Sequence, residues 1–372
     1  MNKLIHSINS NILFVSNADY LKPNGGGVQW CTNEYLKMME ASNLNISICS
    51  YSSDMNLFSR VKRRLLPQPF KGIVPKSAIS EIISITRARK ISFIALNNTE
   101  ACSLASQIRE IDKQIKILFL SHGAEIVDLV NQIRIDPKSI SRLKRSPHWI
   151  GRTLRDEIYQ RQSLDGAICI SKEDVQFERW LGSRNTLFIP RSIHINLLPN
   201  RAKKHRMGIV STLDHVPNRS GIIELANAMT NSNIQIRLVG GPTSIGEKLA
   251  SLFKSIYYCG RLSDSDLKIE ASTWRAFANP IFCQARGAST KVATALGWGI
   301  PVLTTPQGAR GYEWDTEALP LASSPKDLAR LVQMVVSDNC RSTWRDRTLH
   351  VASLAPSIDA QASLFRDFLS KF

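Results

Sequence analysis

Residues 286–311 read RGASTKVATALGWGIPVLTTPQGARG. Gly287 loosens a loop, and Ser289, Thr290 and Lys291 enter a helix that is otherwise small and apolar. IPVLTT then returns as a buried strand. Two hydroxyls, the N–H groups of a helix start and one ammonium therefore converge on a small volume. A helix N-terminus carries unsatisfied N–H groups and the positive end of the helix dipole, so this unit predicts an anion site. It also predicts a fold, since a strand–loop–helix–strand unit of this kind belongs to a parallel sheet with crossover helices.

The same rhythm runs outward in both directions. NILFVS, LNISICSYS, ISFIALNN, IKILFLSH, DGAICIS and NTLFIP read as short strands in the first half. MGIVST, IQIRLVGG, IYYCG, RAFANP and IPVLTT read as strands in the second. Helical patterns lie between them. PRSIHINLLPNRAKKHR, with two prolines and a basic end, interrupts the alternation and reads as a linker. SIDAQASLFRDFLSKF closes the chain as a packing helix with Leu364, Phe368 and Phe372 at helical spacing.

With 372 residues and 43% apolar content, the chain can bury two cores. Its formal charge of +17 favours anionic partners. Aromatic residues do not interleave with the basic ones, which argues against a nucleic-acid binder. Seven cysteines sit singly with no CxxC, so neither a disulfide framework nor a zinc site is expected. No run approaches the roughly 18 apolar residues of a spanning helix, and the N-terminus lacks a signal-peptide pattern. A cytoplasmic protein is expected, with membrane contact at most peripheral.

Ligands of open α/β sheets bind at the carboxyl ends of the strands, where four loops carry candidates. NADYLKPNGGGVQ sets Gly25, Gly26 and Gly27 before a helix, where they permit close backbone approach and positive φ. FLSHGAEIVD places His122 directly after a strand and Glu125 in the next first turn. GIVSTLDHVPNRSG places Thr212 at a strand end, with Asn218 and Arg219 in the following helix. The opening stretch is the fourth. Apart from these, SRVKRRLLPQPFKGIVPK, residues 59–76, holds six basic residues and no acidic one. Arg63 and Arg64 within it are candidates for an anionic acceptor or an acidic lipid surface.

The ordered set of STLDHVPN, IRLVGGP, YYCGRLSDSDL and the 286–311 stretch resembles the GT-B glycosyltransferases, most closely those of the family 4 type. The likeness covers almost the whole chain. It implies two Rossmann-like doubly wound α/β domains facing a central cleft, with the C-terminal helix packing back toward the N-domain. The implied division is an acceptor-binding domain over 1–193, a linker over 194–205, a nucleotide-sugar domain over 206–355 and a packing helix over 356–372.

The resemblance further implies that Lys291 neutralises a donor diphosphate, helped by Ser289, Thr290 and Gly287. The backbone around Cys259, Arg261 and Leu262 would hold the base, with Gly241 beside it. His122 would lie near the transferred sugar. The family often carries two glutamates eight residues apart in the 286–311 stretch; here Arg286 and Thr294 occupy those positions.

The expected protein moves a sugar from a nucleoside-diphosphate donor to a hydroxyl of a saccharide, lipid-linked or protein acceptor. No cofactor and no metal are expected. Two alternatives stay open: a non-catalytic binding or scaffold subunit of the same fold, and a nucleotide-sugar epimerase or hydrolase.

Overall fold

The structure, a computed structural model, describes residues 11–23, 25–53, 70, 73–136, 147–338 and 341–372. The chain divides into two compact units. The first contains Met1–Val130, Ile140–Pro190 and Pro356–Phe372; the second contains Asn131–Ser139 and Arg191–Ala355.

In the first unit, β1 (Asn11–Asn17), β2 (Asn45–Tyr51), β3 (Phe93–Asn97), β4 (Lys116–Leu120), β5 (Gly166–Cys169) and β6 (Thr186–Phe188) form one sheet in the order β2-β1-β3-β4-β5-β6. Every pairing is parallel. Ile12 to Val15 and Ile94 to Leu96 are fully buried, the unbroken apolar pattern of strands covered on both faces.

The helix Ile358–Leu369 packs within this unit, as expected of the chain end. Gln361 donates to Glu34 at 2.9 Å, and Ser42 donates to the Ala362 carbonyl at 3.3 Å. Its buried face is Gln361, Ala362, Phe365, Phe368 and Leu369. Leu364, expected on that face, is instead 40% exposed. A face running 361, 365, 368 leaves position 364 a hundred degrees away from 365 and toward solvent. Gly166 is small because the Phe368 ring lies where a Cβ would stand, 2.7 Å away.

In the second unit, β7 (Arg206–Thr212), β8 (Gln235–Gly241), β9 (Ile256–Gly260), β10 (Ala276–Asn279) and β11 (Val302–Thr304) form a parallel sheet in the order β11-β10-β7-β8-β9. All strands read from the sequence are present, and both sheets have the alternation of strand and helix that a doubly wound fold requires. Residues 191–203 carry no helix or strand. They run along the second unit through Asn196 N–H to Gly297 O at 2.8 Å and Lys203 N–H to Thr273 O at 2.9 Å.

The helix Val216–Ala228 approaches the loop after β10 closely. A Cβ on Gly221 would lie 1.6 Å from the Pro280 carbonyl oxygen, a backbone atom that cannot swing aside. Gly221→Ala is therefore expected to destabilise the protein by about 1–3 kcal/mol, the cost of overpacking a tight contact. Urea denaturation checks this, and an unchanged midpoint would contradict the packing described.

Candidate active site

In the second unit, basic side chains follow four strand ends: Arg219 after β7, Arg261 after β9, Lys291 after β10 and Arg310 after β11. Ser289 stands at the N-cap of the helix Thr290–Gly297, but its side chain makes no capping bond. Ser263, Thr305, Ser324 and Ser357 do cap their helices. The Thr290–Gly297 terminus thus keeps its polarity for another partner.

Lys291 is half-buried in the first turn of that helix, and among the described residues its ammonium makes no hydrogen bond or ion pair. Close packing by protein atoms, then the charge of Arg310, push its pKa down to about 8. Its accessible surface is not closed, so it sits in a crowded recess and not a sealed core.

The loops around Lys291 are braced by backbone acceptors. Arg310 donates to the carbonyl oxygens of Arg286, at 2.7 Å, and Gln307. The Tyr312 hydroxyl donates to Ser289 O. Gly287 has φ +63°, the left-handed region that favours glycine. Thr294 donates its hydroxyl to Thr290 O at 3.1 Å, so its proton is engaged within the helix.

Arg219 and Arg261 likewise have no hydrogen bond or ion pair among the described residues. Asn218 donates to Thr212 O at 3.1 Å and ties the helix start to the end of β7, while Thr212 is itself exposed. Arg261 lies against Gly241: a Cβ there would stand 2.1 Å from the guanidinium Nε. Cys259 donates to Tyr257 O at 3.7 Å, and burial raises its thiol pKa to about 11. With Leu262 and the Arg237–Glu270 ion pair it borders a cavity of about 280 Å³ that includes no member of the Lys291 group. The sequence expectation concerned the backbone from Cys259 to Leu262, and both of these residues border this cavity.

In the first unit, His122 follows β4 and is nearly buried. Its Nε2 lies 2.8 Å from Asn97 Oδ1. Asn97 Nδ2 donates to Ser16 at 3.0 Å and Thr32 at 2.9 Å. With the amide so oriented, His122 Nε2 donates to Asn97 Oδ1.

The loop before His122 is held by a buried ion pair. Arg161 donates to both Glu178 oxygens, at 2.9 and 2.8 Å, and Ser121 donates to Glu178 at 3.1 Å. Glu157 accepts the backbone N–H groups of Glu125 and Ile126 at 2.8 and 3.1 Å. Burial, partly opposed by Arg161, raises the Glu157 pKa to about 7.

Gly25, Gly26 and Gly27, which permit positive φ, are not among the positive-φ glycines of the described residues. Gly26 is an extended N-cap with φ −81°, and a Cβ there would meet only Gln29 Oε1, at 3.9 Å. At Gly25 a Cβ would stand 2.4 Å from the Gln29 side chain, so its smallness serves close packing on that residue and not a left-handed turn. Arg63 and Arg64 lie outside the described residues. Three residues escaped the sequence reading. Arg310 lay inside the quoted stretch, and a second cation just past a strand end was its signal. Asn97 ends β3 in LNNTE, an equivalent signal. Glu157 gave none.

Among the described residues, no group of three or more His, Cys, Asp or Glu is placed to hold a metal ion, and no helix is long and apolar enough to cross a membrane.

No family model and no curated protein matches the chain. Solved structures do. Anabaena Alr3699/HepE in complex with UDP and glucose matches with a TM-score of 0.65 at 14% identity, over 98% of this chain and 100% of that one. An E. coli trehalose-6-phosphate protein bound with UDP-2-fluoro glucose matches at 0.64 and 11% identity, over 98% and 99%. The Thermobaculum terrenum O-GlcNAc transferase matches at 0.57 and 11% identity, over 98% and 68%. The class these likenesses define is the GT-B fold, and this chain has it.

Proposed function

We propose that the protein is a glycosyltransferase that transfers a sugar from a nucleoside-diphosphate donor to an acceptor hydroxyl, with retention of configuration at the anomeric carbon. The observation that carries this reading is Lys291: an ammonium without an internal partner, beside Arg310, at a helix start that its own serine does not cap. The neighbours bound to UDP and UDP-sugars support a uridine donor.

In the proposed reaction the bond between the anomeric carbon and the diphosphate oxygen breaks while a bond to the acceptor oxygen forms. The acceptor proton leaves with the diphosphate. Negative charge grows on the departing phosphate, where Lys291 and the helix N-terminus stabilise it. Ser289, Thr290 and Gly287 contribute polar groups or close backbone approach there. Arg219 and Arg261 are candidate further phosphate or base contacts. Arg286 and Thr294 stand where a sugar and a ribose would be recognised, so they set donor preference in this reading. His122, held by Asn97, orients the reacting hydroxyl in this reading.

Calorimetric titration with UDP tests the donor site, uridine serving as the control without phosphate. Binding of UDP but not uridine is expected; equal affinity for both would contradict a diphosphate site. The pH dependence has a definite sign. Lys291 is cationic below its pKa of about 8 and neutral above it, whereas a terminal phosphate with a pKa of about 6 no longer changes charge above neutrality. UDP affinity should therefore fall as pH rises, by up to about tenfold between about pH 7 and about pH 9.5. A flat profile would remove Lys291 from the site.

A further inference from the structure

We infer that the carboxyl edge of β1, β2 and β3 carries a hydroxyl-binding subsite for an uncharged pyranose ring, centred on Glu100 and flanked by Asn17, Tyr51 and Ser53. It deepens the acceptor side of the function proposed above and rests on that reading. Asn17 Nδ2 donates to Ser53 Oγ at 2.6 Å and to Glu100 Oε2 at 3.2 Å. Ser53 donates to the same Oε2 at 3.3 Å. Both bonds load one carboxylate oxygen; among the described residues Oε1 has no partner, and no cation pairs with Glu100. Glu100 is half-buried, and its Oε2 is positioned by neutral donors alone among the described residues.

The second observation is independent. Tyr51 is 4% exposed, and its hydroxyl has no hydrogen-bond partner among the described residues. Burial, and then the charge of Glu100, raise its pKa, so it remains a phenol with a proton to donate. Thr99, next to Glu100 and 1% exposed, also has an unpartnered hydroxyl. Buried hydroxyls left unpaired are costly, and native proteins keep few of them. A carboxylate repels anions and accepts from neutral O–H groups. One hydroxyl of a vicinal pair can donate to Glu100 Oε1 while its neighbour accepts from Tyr51. The edge of a parallel sheet is also where such a ligand would enter.

The test is saturation-transfer NMR on the full chain with methyl glucoside, galactoside and mannoside. Tetrahydropyran-2-methanol, which lacks vicinal hydroxyls, is the control, and UDP is followed in parallel. At least one pyranoside should receive saturation above the control. Glu100→Gln and Tyr51→Phe should each weaken its binding by about tenfold, the worth of a hydrogen bond to a charged or buried group. UDP binding should be unchanged in both variants. Tyr51→Phe should leave the melting temperature unchanged or raised, since the hydroxyl has no internal partner to lose; should Glu100→Gln fail to fold, Tyr51→Phe decides alone. No response above the control, or an unchanged response in the folded variants, overturns the subsite. A wild type that binds pyranosides but not UDP would sink the donor reading and leave the subsite standing.

Discussion

Lys291→Met is expected to weaken UDP binding by about 1–3 kcal/mol, roughly ten- to a hundredfold, while leaving the fold intact. The effect is large because the ammonium has no partner among the described residues: the substitution removes a ligand contact and orphans no described buried acid. Methionine keeps the apolar stem in its recess. Losing a like charge beside Arg310 also relieves a repulsion, so melting should not fall. The variant should bind UDP with no pH dependence near pH 8, because the group that titrates there is gone. Calorimetry and thermal unfolding together check this. Unchanged affinity in a folded variant would return Lys291 to an ordinary helix-surface residue.

His122→Ala is expected to lower the rate constant at saturating donor by about a hundredfold or more, with UDP affinity unchanged. The ring is oriented by Asn97, which is itself held by Ser16 and Thr32, so the side chain is positioned before any ligand arrives. Such preorganisation acts on the transition state more than on ground-state binding. Removal also strips Asn97 Oδ1 of a partner, which costs about 1–3 kcal/mol of stability. The assay therefore belongs well below the variant's melting temperature. A fully active, folded His122→Ala would assign the histidine to core structure alone.

The sheets were legible because interior parallel strands such as ILFV at 12–15 leave no polar break to misread. The loops at their carboxyl ends were legible for the same reason: a strand end fixes where the next few residues emerge. What escaped was set by contacts distant in the chain. Arg161, Glu157 and Glu178 form one buried network, yet Glu178 lies seventeen residues from Arg161 and fifty-seven from Ser121. No local pattern encodes that meeting. The C-terminal helix shows the finer limit, since Leu364 and Phe365 are both apolar and only packing on Gly166 and Ser42 chooses between their faces.

UDP release from a panel of UDP-sugars, measured for wild type, Lys291→Met and His122→Ala with and without methyl pyranosides, tests sugar transfer most directly. Wild type should release UDP from at least one donor and do so faster with an acceptor, and both variants should lose that rate. UDP binding without release from any donor would contradict transfer and make the chain a nucleotide-binding subunit of the same fold.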